Sequence, residues 1–220
     1  MRRGLILYGD VTEATWQPSE LDLSHVDRFQ VRQRITAFVN LYDVSALDGT
    51  GTPGQPIAFV RQKRMKIKED IRFYADESQS RELFAIKART VFEFAGVHDV
   101  VDAQGAKIGV LAKQFQRSLI RSTWEVQDAA GQKVLAAQER SVFLAILRRV
   151  WGLIPYAGDI PFMIPFHFDL LVDGEKAGSV DRPIGIADRY VIDISEIPPE
   201  RLDRRLAIAF AVALDALQDR

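Results

Sequence analysis

The chain is 220 residues long, 47% hydrophobic and 27% charged, with a formal net charge of −1. That length accommodates one large domain or two small ones with a substantial core, and near-neutrality leaves no global field to draw the protein onto nucleic acid or an anionic surface, so such binding needs a local patch. The absence of cysteine excludes disulfides, thiolate nucleophiles and cysteine-ligated metal centres.

Residues 1–24 carry scattered polar residues without a period and read as a loose arm pinned by Trp16. Only four apolar residues follow the basic pair in MRRGLILYGD, short of the roughly 7–15 of a secretory signal. No segment offers the ~20 apolar residues of a membrane span. Residues 25–220 then read as a single domain. ALDGTGTPGQ is the first of a series of hairpin loops. Its Gly49–Gly54 stretch is followed by no Gly-Lys-Ser/Thr, so it is not a phosphate loop.

The basic run RQKRMKIK, Arg61 to Lys68, stands out in a nearly neutral chain. On a strand, alternate side chains share a face. Arg64, Lys66 and Lys68 form one row, while Arg61 and Lys63 share the other with Met65 and Ile67. If Met65 and Ile67 point inward, the first row faces solvent. It is then either an edge-protecting face or a docking row for anionic headgroups, each cation contributing ~1 kcal/mol near a charged surface.

Turns then recur at Asp76, Asp102 and Asp128, each 26 residues after the last. Asp bonds its own backbone in such turns and Gly tolerates positive φ. β-rich runs flank each turn, and a further turn lies at VDGEK. The spacing predicts about twelve short strands in a hairpin repeat, an all-β barrel or sandwich. Single turn aspartates offer too few oxygens for calcium, which takes 6–8.

Two segments break the rhythm. Ser141–Trp151 reads as helix-like and leads into an apolar, proline-rich crossover to Phe166. It either caps a barrel end or dips aromatic side chains into a bilayer interface beside Arg148 and Arg149. RLAIAFAVALDALQ, near the end, has nine consecutive apolar residues. Ala and Leu favour helix, and Pro198–Pro199 can open one, with Glu200 and Asp203 in its first turns. A helix over about 199–218 is expected, against a rival strand reading. A helix apolar on every face is buried in protein or lipid. Nine residues rise only ~13 Å at ~1.5 Å each, against a ~30 Å hydrocarbon core. A barrel of eleven or more strands leaves room for an axial helix. The fold expected is mainly β, a closed antiparallel barrel around a buried C-terminal helix.

FVRQKRMKIKEDIRFYADES, SLIRSTWEVQDAAGQ and DRRLAIAFAVALDALQ together resemble the LURP-one-related branch of the tubby C-terminal-like superfamily, relatives of phospholipid scramblases, over Phe29 to Arg220. The resemblance implies a helix-plugged barrel. Tubby domains bind phosphoinositides through basic surface residues, and scramblases move phospholipids in a calcium-dependent way. This chain lacks the cysteine-rich and proline-rich segments of scramblases and any D-x-[DN]-x-[DN]-G calcium loop. No tubby phosphoinositide residue is carried over.

No catalytic set emerges. His25, His98 and His167 share no ligand spacing, and no G-x-S-x-G elbow is present. The chain reads as a non-enzymatic module without cofactor or metal. It is expected in the cytoplasm, peripheral to a membrane, with anionic phospholipid as partner through Arg64, Lys66, Lys68, Arg148 and Arg149, and no nucleic acid. The alternative is a protein-interaction scaffold with no small ligand.

Overall fold

A computed structural model describes residues 22–35, 39–63, 70–89, 96–114, 123–140, 167–182 and 189–217. The described residues form twelve strands and one helix. The strands are β1 (Arg28–Ile35), β2 (Val39–Leu47), β3 (Pro53–Lys63), β4 (Asp70–Tyr74), β5 (Glu82–Ala88) and β6 (Val97–Asp102), followed by β7 (Lys107–Lys113), β8 (Thr123–Asp128), β9 (Lys133–Glu139), β10 (His167–Val172), β11 (Glu175–Asp181) and β12 (Arg189–Asp193). The helix is α1 (Arg204–Ala216). Each strand pairs antiparallel with its chain neighbour, and β1 pairs with β12 to close the barrel. The all-β expectation is met by the barrel rather than the sandwich.

The hairpins show how the sequence builds this. In Asp48-x-x-Gly51, Asp102-x-x-Gly105 and Asp128-x-x-Gly131, the fourth residue's N–H donates to the aspartate carbonyl and its φ is +81°, +87° and +82°. The aspartate carboxylate also accepts from the turn backbone, as from Thr50 and Thr52 at 2.8 and 2.9 Å. The Asp76 turn keeps this pattern without glycine, Gln79 taking a φ of +56°. Asp173–Gly174 is a two-residue loop with both φ values positive, the geometry that matches strand twist. Each of these five hairpins also carries a register shift next to its turn, such as Phe73/Tyr74 and Val126/Gln127. Such bulges bend and twist the strands, which closure requires.

Alternation sorts the two faces. In β4, Ile71 and Phe73 are buried while Arg72 and Tyr74 are half-exposed. Trp124, Tyr42, Tyr190, Phe29, Phe84 and Phe168 fill the interior, and Phe73 stacks on Phe84 at 4.1 Å. Outside, Arg28, Arg72, Arg89 and Arg140 pair with carboxylates. An apolar inside and a charged outside reverse the pattern of a bilayer-spanning barrel. No helix among the described residues is long and apolar enough to cross a membrane.

The interior is occupied by α1, whose residues from Leu206 to Leu214 are all buried. Ala207, Ala209, Ala211 and Ala213 keep it slender, and Phe210 meets Trp124 edge-on at 6.2 Å. At Gly109 a β-carbon would run into the Gln127 carbonyl oxygen and lie 2.8 Å from Leu206 Cδ2, so only glycine lets the helix pass. The helix starts later than Pro198–Pro199 suggested. Those prolines belong to a separate turn, closed by the Arg201 N–H donating to the Pro198 carbonyl. Ile194, Ile197 and Leu202 are buried along this stretch. The chain thus crosses the barrel mouth before it turns down the axis. Asp203 is accordingly the N-cap, accepting from the Arg205 N–H at 2.9 Å, and the first turn holds no acidic residue.

Candidate functional site

Antiparallel order gives the barrel two unlike rims. The turns of all five hairpins lie at one rim, where β1 begins, β12 ends and α1 enters. The other connections join strands at the opposite rim.

The hairpin rim carries an aspartate at every turn: Asp48, Asp76, Asp102, Asp128 and Asp173. The Thr50 hydroxyl and Thr52 N–H hold the Asp48 carboxyl below the usual carboxylate range, and Ser78 does the same for Asp76. Among these turns lies an open depression of about 1360 Å³. Leu23, Ile108 and Leu206 line it together with Arg201, Asp203 and Arg205. Arg204 is a buried latch at its base, reaching Asp27 at 2.7 Å and the Ile197 carbonyl at 2.9 Å. It ties the helix start to the chain just before β1.

Near the opposite rim the interior turns polar. The Tyr42 hydroxyl donates to Asp215 at 3.0 Å, Asn40 donates to Gln62 at 2.9 Å, and Gln62 donates to the Ala216 carbonyl at 3.3 Å. This network serves the helix C-terminus, whose last carbonyls lack helical partners. Burial, then the nearby Asp215 charge, pushes the Tyr42 and Tyr190 hydroxyls well above the ordinary tyrosine range. Both stay protonated and able to donate.

Arg64, Lys66, Lys68, Arg148 and Arg149 lie outside the described residues, as do the 141–166 crossover and the arm before Asp22. The strand ends that flank the two basic segments, Lys63 and Asp70 in one case and Glu139 and His167 in the other, share the opposite rim. Arg61, at the start of the basic run, faces outward. Val60 and Gln62 are the inward residues of β3, and Arg61 donates to Gln79 at 3.0 Å. The interior at this end is lined by amide and hydroxyl groups.

The histidines are separate. His25 is exposed in a turn, and His98 is buried with its Nδ1 3.2 Å from the Gly96 carbonyl. His167 Nδ1 lies 2.7 Å from Asp181, which also accepts from the Ser179 hydroxyl at 2.6 Å. The carboxylate sits between serine and histidine, so His167 is not placed to take the hydroxyl proton. Among the described residues, no three His, Asp or Glu side chains converge as a metal site. Asp215 and the Arg204 latch escaped the sequence reading, although Asp215 is the one charge interrupting an apolar run.

A twelve-stranded antiparallel barrel closed around an apolar C-terminal helix defines a helix-plugged barrel of the tubby-like class. The chain belongs to the LURP-one-related family, whose model matches residues 57–215. That span runs from β3 through nearly all of α1. No functionally curated protein matches the sequence.

Proposed function

We propose that this barrel is a non-enzymatic module that docks on anionic phospholipid at a cytoplasmic membrane surface, through the rim opposite the hairpin turns. Segregation of charge by topology supports the reading. The hairpin rim has an aspartate at each turn. The sequence between the strand ends that share the other rim contains Arg64, Lys66, Lys68, Arg117, Arg121, Arg148 and Arg149 against Glu69, Glu93, Asp159 and Asp188. A nearly neutral protein so divided orients in the field of a negative surface, basic end first.

Co-sedimentation with vesicles tests it. The parent chain is expected to bind phosphatidylserine vesicles at low salt and release as salt rises, because exposed charges are screened over ~10 Å at 0.1 M. At ~1 kcal/mol per cation, R64E/K66E/K68E removes roughly 3 kcal/mol, about a hundredfold in affinity. R148E/R149E is expected to weaken binding less. Equal binding to neutral vesicles, or none at low salt, rejects lipid docking. The rival, an interaction scaffold, would then use the depression at the hairpin rim, whose lining carries both signs of charge.

A further inference from the structure

The seam that closes the barrel brings two arginines face to face. In the β1–β12 register, Arg32 lies directly opposite Arg189. Phe29 and Val31 of β1 and Tyr190 and Ile192 of β12 point inward and are buried, so both arginines stand on the outer face. Directly opposed cross-strand residues have β-carbons ~4.5–5.5 Å apart, and like charges there repel.

The surrounding carboxylates make their ion pairs and hydrogen bonds with other groups. Asp43, opposite Arg32 on β2, accepts from Arg34 at 2.9 Å, and Arg34 also reaches Glu77 at 2.7 Å. Asp193, on the same face of β12, pairs with Arg28 at 3.2 Å. Asp181, at the end of β11, is held by His167 and Ser179. Other outer-face arginines, Arg28, Arg34, Arg72, Arg89 and Arg140, each reach a carboxylate. Arg32 and Arg189 reach none among the described residues, and no other hydrogen bond or ring contact engages them. Among the described residues, the two arginines left open are the two opposed in the register.

We propose that Arg32 and Arg189 form a binding site for a phosphate monoester. Each planar guanidinium offers a pair of parallel N–H donors that match two oxygens of an oxyanion. A monoester carries a charge of about −1.5 to −2 at pH 7 and three terminal oxygens, enough to engage both forks and cancel their repulsion. A carboxylate has one charge and two oxygens, and satisfies only one fork. The same chemistry is presented by a soluble phosphate compound and by a phospholipid headgroup ending in a monoester, such as phosphatidate. The site is separate from the basic connections and stands whether or not that rim docks on lipid.

Thermal melting of the full chain tests it, with inorganic phosphate against chloride at matched ionic strength. Phosphate is expected to raise the parent's melting temperature and leave R32Q/R189Q unmoved. In chloride the double variant is expected to melt no lower than the parent, since a repulsive pair has been removed. R32K/R189K keeps both charges but loses the forks, and is expected to bind phosphate at least tenfold more weakly by titration calorimetry. Vesicles separate the two sources. A preference for phosphatidate over phosphatidylglycerol that disappears in R32Q/R189Q assigns the site to headgroups, while a phosphate response without that preference assigns it to soluble monoesters. Equal phosphate stabilisation of the parent and R32Q/R189Q, or none of the parent, overturns the proposal.

Discussion

At single positions, the turn aspartates do two jobs that a neutral residue shares only in part. Asp48 and Asp76 accept from hydroxyl and backbone donors, which holds their carboxyls below the ordinary range. On the outer face, Arg140 holds Asp169 down in the same way. In the unfolded chain such carboxyls titrate near ~3.9. Below that value the unfolded state takes up protons that the folded state refuses. Their contribution is therefore complete above the unfolded value and is lost as pH falls through the lower folded one. Asn keeps the acceptor oxygen but does not titrate. D48N/D76N is expected to melt below the parent at pH 7 and to lose stability less steeply below about pH 4, so that the gap closes in acid. Melting curves across that range check it; identical acid slopes would remove the assignment. These turns were legible because Asp and Gly advertise the backbone they need. Arg61 was not, since its place outside depends on Gln62 being drawn inward by Asn40 and the Ala216 carbonyl.

Between elements, the decisive fit is α1 against its lining. Phe210 is buried mid-helix against Trp124, and F210A is expected to cost about 3–5 kcal/mol by leaving a cavity. G109A acts in the opposite sense, adding a methyl where the Gln127 carbonyl and Leu206 already touch. Overpacking of this kind costs about 1–3 kcal/mol, and the backbone carbonyl cannot swing aside. Denaturant titration of both variants measures each; a G109A chain as stable as the parent would show that the helix passes β7 less tightly. The helix itself was legible from its alanines and leucines. Its first residue was not, because Pro198–Pro199 is the usual opening signal of a helix and here opens a turn across the barrel mouth. That detour is set by burial of Ile197 and Leu202, which no local pattern announces.

For the whole molecule, barrel and helix are one cooperative unit, since neither has a core without the other. A chain ending after Asp203 exposes the inner aromatics, and contiguous apolar surface of that kind drives association. It is expected to aggregate or to lose its cooperative melting transition. A soluble monomer that melts at the parent temperature would refute the plug. The number of strands was legible from hairpin spacing, and closure from the need to house a helix apolar on all sides. Which strand ends share a rim was hidden. The basic segments at 61–68 and 148–149 stand far apart in the chain, and only the alternating direction of twelve strands brings their flanking ends to one rim.

The β1–β12 seam also sets a timetable. A ribosome delivers β1 first, and its closing partner almost last, with ten strands made in between. Throughout that interval β1 offers an unpaired edge, and the growing sheet curls around a hollow that its filler has not reached. Long-range pairing of this kind is slow and leaves nascent chains prone to mispairing. A second copy's β12 can satisfy the same edge in trans. Crowded synthesis should therefore yield strand-exchanged dimers unless a chaperone shields the edge until the last strand arrives.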